Sequence, residues 1–274
     1  GTLRITLEMD YTKNKTILTQ QYSKAPLLTQ KALHYDMANP SMAYLFLMSS
    51  SGGVLQGDRY DVEISVKNKG IANITTQGAT RIYKMESNYA AQFVDIDVDD
   101  HSYLEFLPDQ IIPYKKSRYF QQVLIKAGID STVVYSEIVT PGRVAMGELF
   151  DYDLCHLKLI AKNKTGKTLF MDTSRLDPKE QRFNQIGILG TNSVFGTLYV
   201  IAKKDQLQKI SDDIDIVLKN TDLMCGCSFL PKDSGLVVRF AASSSEDIKA
   251  VMRDCVRIVR KYVLNSAFDE LRKT

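Results

Sequence analysis

Histidine is scarce in this chain, with only His34, His101 and His156 among 274 residues. Three scattered imidazoles leave little material for a histidine-rich metal centre or a Ser-His-Asp triad. Cysteine is nearly as rare: Cys155 and Cys255 stand alone, and Cys225 and Cys227 are separated only by Gly226. Such usage makes no disulfide framework and predicts a chain that works in a reducing cytoplasm. Long apolar runs are missing too, since the stretch from Ala43 to Met48 falls far short of the roughly 20 residues a membrane helix requires. No basic-plus-apolar signal peptide opens the sequence, which again predicts cytoplasmic residence. Neither sign of charge dominates: 35 Lys and Arg against 32 Asp and Glu leave +3, spread along the chain without a basic tract. Neither nucleic acid nor membrane is therefore an expected partner. Tryptophan is absent, whereas the 14 Tyr and 11 Phe are the aromatics a strand-rich core uses.

What is present is alternation. Tyr60, Val62, Ile64 and Val66 alternate with Asp61, Glu63 and Ser65, which predicts a strand with one buried and one wet face. Asn68-Lys69-Gly70 supplies a turn, and a new strand begins at Ile71. Val94, Ile96 and Val98 alternate with Asp95, Asp97 and Asp99 in the same way. Further strands are expected at 3–10, 15–22, 43–48, 103–107, 118–126, 131–139, 155–161, 168–173 and 196–202. Many short strands joined by turns predict a mainly β protein, with sandwich, barrel and solenoid all open. Near residue 197 the pattern changes. A strand precedes a helical stripe of Leu207, Ile210, Ile214, Val217 and Leu218, and two strands, 223–230 and 235–242, turn at Pro231–Gly235. Ser243 and Glu246 have capping-box spacing ahead of the apolar stripe Ile248, Val251, Met252, Cys255, Val259. One compact unit over 1–274 is expected, with a β body (1–195) and a β-α-β-β-α portion (196–274) packed on it.

Several motifs come close to a chemistry and stop short. Ala161 to Thr168, ending Gly166-Lys167-Thr168, fits a relaxed P-loop and keeps a nucleotide-dependent enzyme as an alternative reading. A phosphate cradle needs a helix after its glycines; Leu169-Phe170-Met171-Asp172 is strand-like, so a polar hairpin turn fits better. Asp95, Asp97 and Asp99 have the first three spacings of a calcium loop, but Asp100 and Phe106 stand where Gly and Glu are required. Cys225 and Cys227 could offer two soft thiolates to nickel, zinc or copper(I), or serve as small buried residues. The run Ser50 to Arg59 holds three glycines in six residues and delivers Asp58 and Arg59 to the mouth of the next strand.

Four segments together resemble the UreD (UreH) family of urease accessory proteins. Gly52-Gly53-Val54-Leu55-Gln56-Gly57-Asp58-Arg59 is similar to its GG-x-x-x-GD signature. Thr75-Thr76-Gln77-Gly78-Ala79-Thr80-Arg81-Ile82-Tyr83 and the segment Leu104-Glu105-Phe106-Leu107-Pro108 to Ile112-Pro113-Tyr114 follow in family order. Glu137 with Gly142-Arg143 and Gly147-Glu148-Leu149-Phe150 completes the set. The resemblance implies a β-helix-like, solenoid body of stacked strands with a few helices. It also implies a non-enzymatic scaffold that, with UreF and the GTPase UreG bound through UreF, docks on apo-urease and helps deliver nickel. A UreD/UreF/UreG complex follows, with dimeric assembly one arrangement it allows. No permanently bound cofactor is implied, only transient Ni(II).

In that family nickel is proposed to pass through an internal polar tunnel. The positions that match its acidic lining are Asp58, Glu137 and Asp172, with Thr80 as a neighbouring hydroxyl. Carboxylates and water hold nickel(II) weakly enough to release it, which a thiolate cage would not. Each residue also has a purely structural reading. Asp58 can cap its own glycine turn, and Glu137 can be a buried carboxylate paired with Arg143. Arg143 and Glu148 are expected to fix the Gly142–Gly147 loop.

Overall fold

The structure, a computed structural model, describes residues 1–183, 185 and 188–267. The first half of the chain forms β1 (Thr2–Asp10), β2 (Lys15–Lys24), β3 (Leu27–Thr29), β4 (Ala43–Ser49), β5 (Arg59–Lys67), β6 (Ile71–Thr76), β7 (Thr80–Ile82), β8 (Ala90–Val98) and β9 (Tyr103–Phe106). Then come β10 (Ile111–Pro113), β11 (Arg118–Ala127), β12 (Thr132–Val139), β13 (Leu154–Asn163), β14 (Thr168–Leu176) and β15 (Val194–Ile201). The remainder forms α1 (Lys204–Lys219), β16 (Met224–Phe229), β17 (Leu236–Ala242) and α2 (Ser245–Val263).

The chain shuttles between two sheets. One has the order β14-β13-β11-β8-β5-β1-β2, the other β16-β17-β15-β12-β9-β6-β4-β3. The pairs β1–β5, β5–β8, β8–β11 and β11–β13 are parallel, as are β4–β6, β6–β9 and β9–β12. Each coil therefore lays one strand in each sheet, the solenoid arrangement of the mainly β class. Short β7 and β10 pair in parallel and close a third side. Antiparallel partners finish the sheets: β2 and β3 at one end, β14, β15, β17 and β16 at the other.

The alternation in the sequence becomes ladders. Val62, Val94, Val123 and Leu159 lie in register across four parallel strands, and Ile64, Ile96, Ile125 and Ala161 form the next rung. All are buried between the sheets with Leu45, Ile74, Leu104 and Val133 from the opposite layer. Stacking like on like at fixed register buries each apolar face, while Asp61, Glu63 and Asp97 point outward.

The second sheet is covered on both faces, which is why β9 and β12 are buried at every residue. Its outer face carries α1 and α2 over a cluster that includes Val134, Leu198, Val238, Ile214, Ile248 and Val259. Helix α2 comes so close that a Cβ on Gly196 would stand 2.8 Å from Ile248 Cγ2 and 2.9 Å from Met252 Cε. Its cap is at Ser244, whose Oγ accepts from Glu246 N (3.2 Å), and not at Ser243 as the capping-box spacing suggests. The Glu246 carboxylate turns instead to Lys249. Among the described residues no helix is long and apolar enough to cross a membrane.

Arg260, on the buried side of α2, has no exposed side-chain surface. Its Nε and Nη2 donate to the two oxygens of Glu105 at 2.6 and 2.7 Å, and Nη1 donates to Asp36 Oδ2 at 3.0 Å. Tyr103 Oη (2.6 Å) and Asn73 Nδ2 (2.5 Å) also donate to Glu105, and Tyr44 Oη donates to Asp36. Buried charge is tolerated because every lone pair that faces the protein is used.

Candidate functional site

The glycine-rich run meets the short third side of the solenoid. Val54 bridges in parallel to Ile82, with Val54 N donating to Arg81 O (2.8 Å) and Tyr83 N to Val54 O (2.9 Å). A Cβ on Gly53 would lie 2.7 Å from Arg81 O, so the approach needs a glycine. Gly57 turns the chain at φ +80°. Asp58 then closes its own turn: Oδ2 accepts from Leu55 N (2.8 Å) and from Tyr60 Oη (3.2 Å). The capping role expected for Asp58 is thus the one its hydrogen bonds show.

Beneath this turn a cavity of about 400 Å³ lies between the sheets. Its walls include Tyr60, Gln92 and Gln121, which stand side by side on β5, β8 and β11, and Thr76, Thr80 and Glu137. The apolar ladders end one inward-facing position, two residues, short of this level, so polar side chains replace them on β5, β8 and β11 where the coil closes. Glu137 is 7% exposed. Its Oε1 accepts from Tyr135 Oη (2.6 Å) and Gln121 Nε2 (3.3 Å). Burial raises the carboxyl to about 7; the Tyr135 hydrogen bond opposes that rise, and the negative charge of Asp172 adds to it. Arg143 is not its partner. That guanidinium donates from Nε to Glu148 Oε2 (2.9 Å), stacks over the Tyr114 ring at 4.1 Å, and so fixes the Gly142–Gly147 loop as expected.

Asp172 projects inward from β14, in line with buried Phe170. Its Oδ2 accepts from Tyr199 Oη (2.8 Å) and Arg239 Nη2 (2.5 Å). Rings of Phe106, Tyr135, Tyr199 and Phe170 stack in sequence at 5.7, 6.0 and 5.9 Å, so the hydroxyls that hold Glu137 and Asp172 belong to one aromatic column. Across the second sheet, Glu137, Thr197 and Arg239 sit directly opposite one another on β12, β15 and β17. Glu137 faces the first cavity, while Thr197 and Arg239 line a second of about 500 Å³ with Ser174, Phe195 and Met224.

Of the four residues singled out in the sequence, Thr80 and Glu137 share a cavity. Asp58 lines neither cavity but holds Tyr60, a wall residue of the first, and Asp172 lines neither but holds Arg239, a wall residue of the second. Gln121, Tyr135, Tyr199 and Arg239 were not foreseen. Their only sequence signal is polar or aromatic character at inward-facing strand positions, which becomes visible once the register is known. Among the described residues no three His, Cys, Asp or Glu side chains form a group suited to a metal ion.

The other motifs resolve into structure. Residues 163–167 are a hairpin turn between β13 and β14, in which Asn163 Oδ1 accepts from Lys167 N (2.9 Å), and a strand follows. Two of the turn's amides, Gly166 N and Lys167 N, are engaged by Asn163, and no helix follows to face an anion. Asp97 and Asp99 both pair with Lys164, the latter at 2.8 Å. Cys225 and Cys227 face α1, Cys227 Sγ lying 3.8 Å from Ser211 Oγ, and burial raises both thiols. They pack as small core-edge residues.

The family model described as UreD urease accessory protein matches residues 1–273. The urease accessory protein UreD of Cenarchaeum symbiosum (strain A) is 40% identical over 268 residues, covering 97% of this chain and 94% of its own length. UreD 2 of Brucella canis is 34% identical over 259 residues, with 93% and 86% covered. UreD of Photorhabdus laumondii is 34% identical over 263 residues, with 94% and 81% covered.

Proposed function

The chain belongs to the UreD family of urease accessory proteins, and we propose that within urease maturation it conducts Ni(II) through the interior of its β body towards apo-urease. The reading rests chiefly on Glu137. This carboxylate is kept inside the body, held by neutral donors with no direct cationic partner among the described residues, and opens onto a cavity where Thr80 and Gln121 interrupt a largely apolar lining. Isolated burial of an acid is costly, so a purely structural role would favour a glutamine at this place.

The chemistry suits a carrier more than a store. A single carboxylate with amide, hydroxyl and water ligands binds a borderline divalent ion weakly, and exchange is fast enough for onward transfer. Nickel and a proton compete for Glu137, because its carboxyl gives up its proton near neutrality. Asp58 bonds Tyr60 in the cavity wall, and Asp172 is near enough to Glu137 for its charge to raise that carboxyl, which supports the three acids acting together. The scaffold acts with UreF, and through UreF with the GTPase UreG, and it has no turnover of its own.

Urease co-expressed with UreF, UreG and either this chain or its Glu137→Ala variant, then purified and analysed for bound nickel, tests the reading. The variant is expected to co-purify with UreF as the parent does, while the urease beside it is nickel-poor. Full nickel occupancy with the variant would dismiss the passage. Full occupancy in cells lacking the chain altogether would dismiss the role in maturation as well.

A further inference from the structure

Arg239 lines the second cavity and lies on the same cross-strand line as Glu137, which lines the first. It is directly across from Thr197, which is directly across from Glu137, and all three lie on the inner line of the second sheet. Its guanidinium crosses to the other sheet and donates to Asp172 Oδ2 at 2.5 Å. The pair is lopsided in its surroundings: the Asp172 side chain is 20% exposed, the Arg239 side chain 57%. The acid is fixed, with Tyr199 Oη on the same oxygen and Thr173 N on Oδ1 (2.8 Å). The arginine is anchored at one end only, on β17, and its far side lines the second cavity.

The Glu137 carboxyl feels both charges, that of Asp172 and that of Arg239. We infer that Arg239 is the exchangeable counter-ion of the acidic residues: it occupies Asp172 while no metal is present and yields that carboxylate to a divalent cation moving on from Glu137. This rests on the passage proposed above and adds the residue that regulates it. A fixed carboxylate facing a half-exposed guanidinium is arranged for substitution, since the arginine can leave into water at little solvation cost. An incoming 2+ ion offers Asp172 twice the charge and repels the guanidinium, so arrival and displacement are coupled. The same charge also keeps the resting site from holding the ion tightly. Arg239 is thus a positioning residue, and its removal turns a conduit into a trap.

The experiment is equilibrium dialysis of the full chain against Ni(II) alone, near neutral pH, for the parent, Arg239→Gln, Arg239→Lys, Glu137→Gln, Asp172→Asn and the double variant Arg239→Gln/Asp172→Asn. Arg239→Gln is expected to bind nickel about tenfold tighter, the order of one competing unit charge at a partly screened site. Arg239→Lys restores the parent affinity, and the double variant loses the gain. In co-expression Arg239→Gln lowers urease nickel content while retaining nickel itself. Unchanged affinity in Arg239→Gln, with Glu137→Gln still weakening binding, overturns the counter-ion and leaves the passage standing. Nickel binding and urease loading unaffected by both Glu137→Gln and Asp172→Asn overturn the passage and the counter-ion with it. Failure of Arg239→Gln to fold overturns the counter-ion too, because an exchangeable partner is one the fold does without.

Discussion

Glu137→Gln is expected to make the protein more stable above neutral pH and leave it unchanged under acid conditions. The substitution keeps shape and hydrogen bonds, since an amide oxygen in place of Oε1 accepts from Tyr135 Oη and Gln121 Nε2 just as the carboxylate does. What it removes is the charge. Burial raises this carboxyl from the ordinary 4.5 to about 7. Between those values the folded protein keeps a proton that the unfolded chain has released, so stability falls as pH rises through the window and the whole cost is present above it. The cost is about 3 kcal/mol. For chains near this size each kcal/mol moves the melting midpoint by about 2 to 4 °C, so Glu137→Gln melts about 6 to 12 °C higher at about pH 8. At about pH 5 the acid is largely protonated in the folded state and the difference shrinks towards zero. Thermal melts of both proteins across that range measure it directly. A gain of equal size at every pH, or a loss above neutrality, would refute the electrostatic account of this residue. A stabilised variant that loads urease poorly would mark Glu137 as kept for its work and not for the fold.

Arg260→Met is expected to destabilise the protein by about 3–5 kcal/mol, because it leaves the carboxylates of Glu105 and Asp36 buried without their cation; replacing all three by Met, Gln and Asn recovers most of that loss in denaturant titrations. Lys167→Ala is expected to change neither ATP nor GTP binding, since neither nucleotide should bind the parent at millimolar levels; saturable binding that the variant abolishes would return the hairpin turn to the candidates. Cys225→Ser/Cys227→Ser is expected to take up as much nickel and zinc as the parent, as measured by metal analysis after dialysis.

The strands of the first sheet were legible because the solenoid buries only one of its faces. Period-two alternation at Tyr60–Val66 locates β5 within a residue, while that at Val94–Val98 finds only the second half of β8, which begins at Ala90. Strands β3, β7 and β10 went unseen because three residues are too few to show a period. Sheet order was illegible for another reason: parallel neighbours such as β5 and β8 are joined through the opposite sheet, and no local signal records that path. The candidate site was legible in its acids, through the family resemblance, and not in what holds them. Tyr135 and Tyr199 look like ordinary core aromatics until their rings are found stacked and their hydroxyls on Glu137 and Asp172. Arg260 did leave a trace, as a cation one turn after Val256 on an otherwise apolar stripe. Its two acids lie 155 and 224 residues away, far beyond the reach of pattern reading.

That separation bears on how the chain comes to be folded during synthesis. Coils of a solenoid can in principle wind up one after another as they leave the ribosome. Here the early coils carry Asp36 and Glu105 on a face that stays bare until α2 has been made, and the guanidinium that neutralises them is almost the last part of that helix to emerge. The N-terminal coils therefore wait, acidic and uncovered, for the C-terminal segment. A nascent chain stalled before Arg260 should be held open to proteases along its outer sheet even though most of its strands already exist.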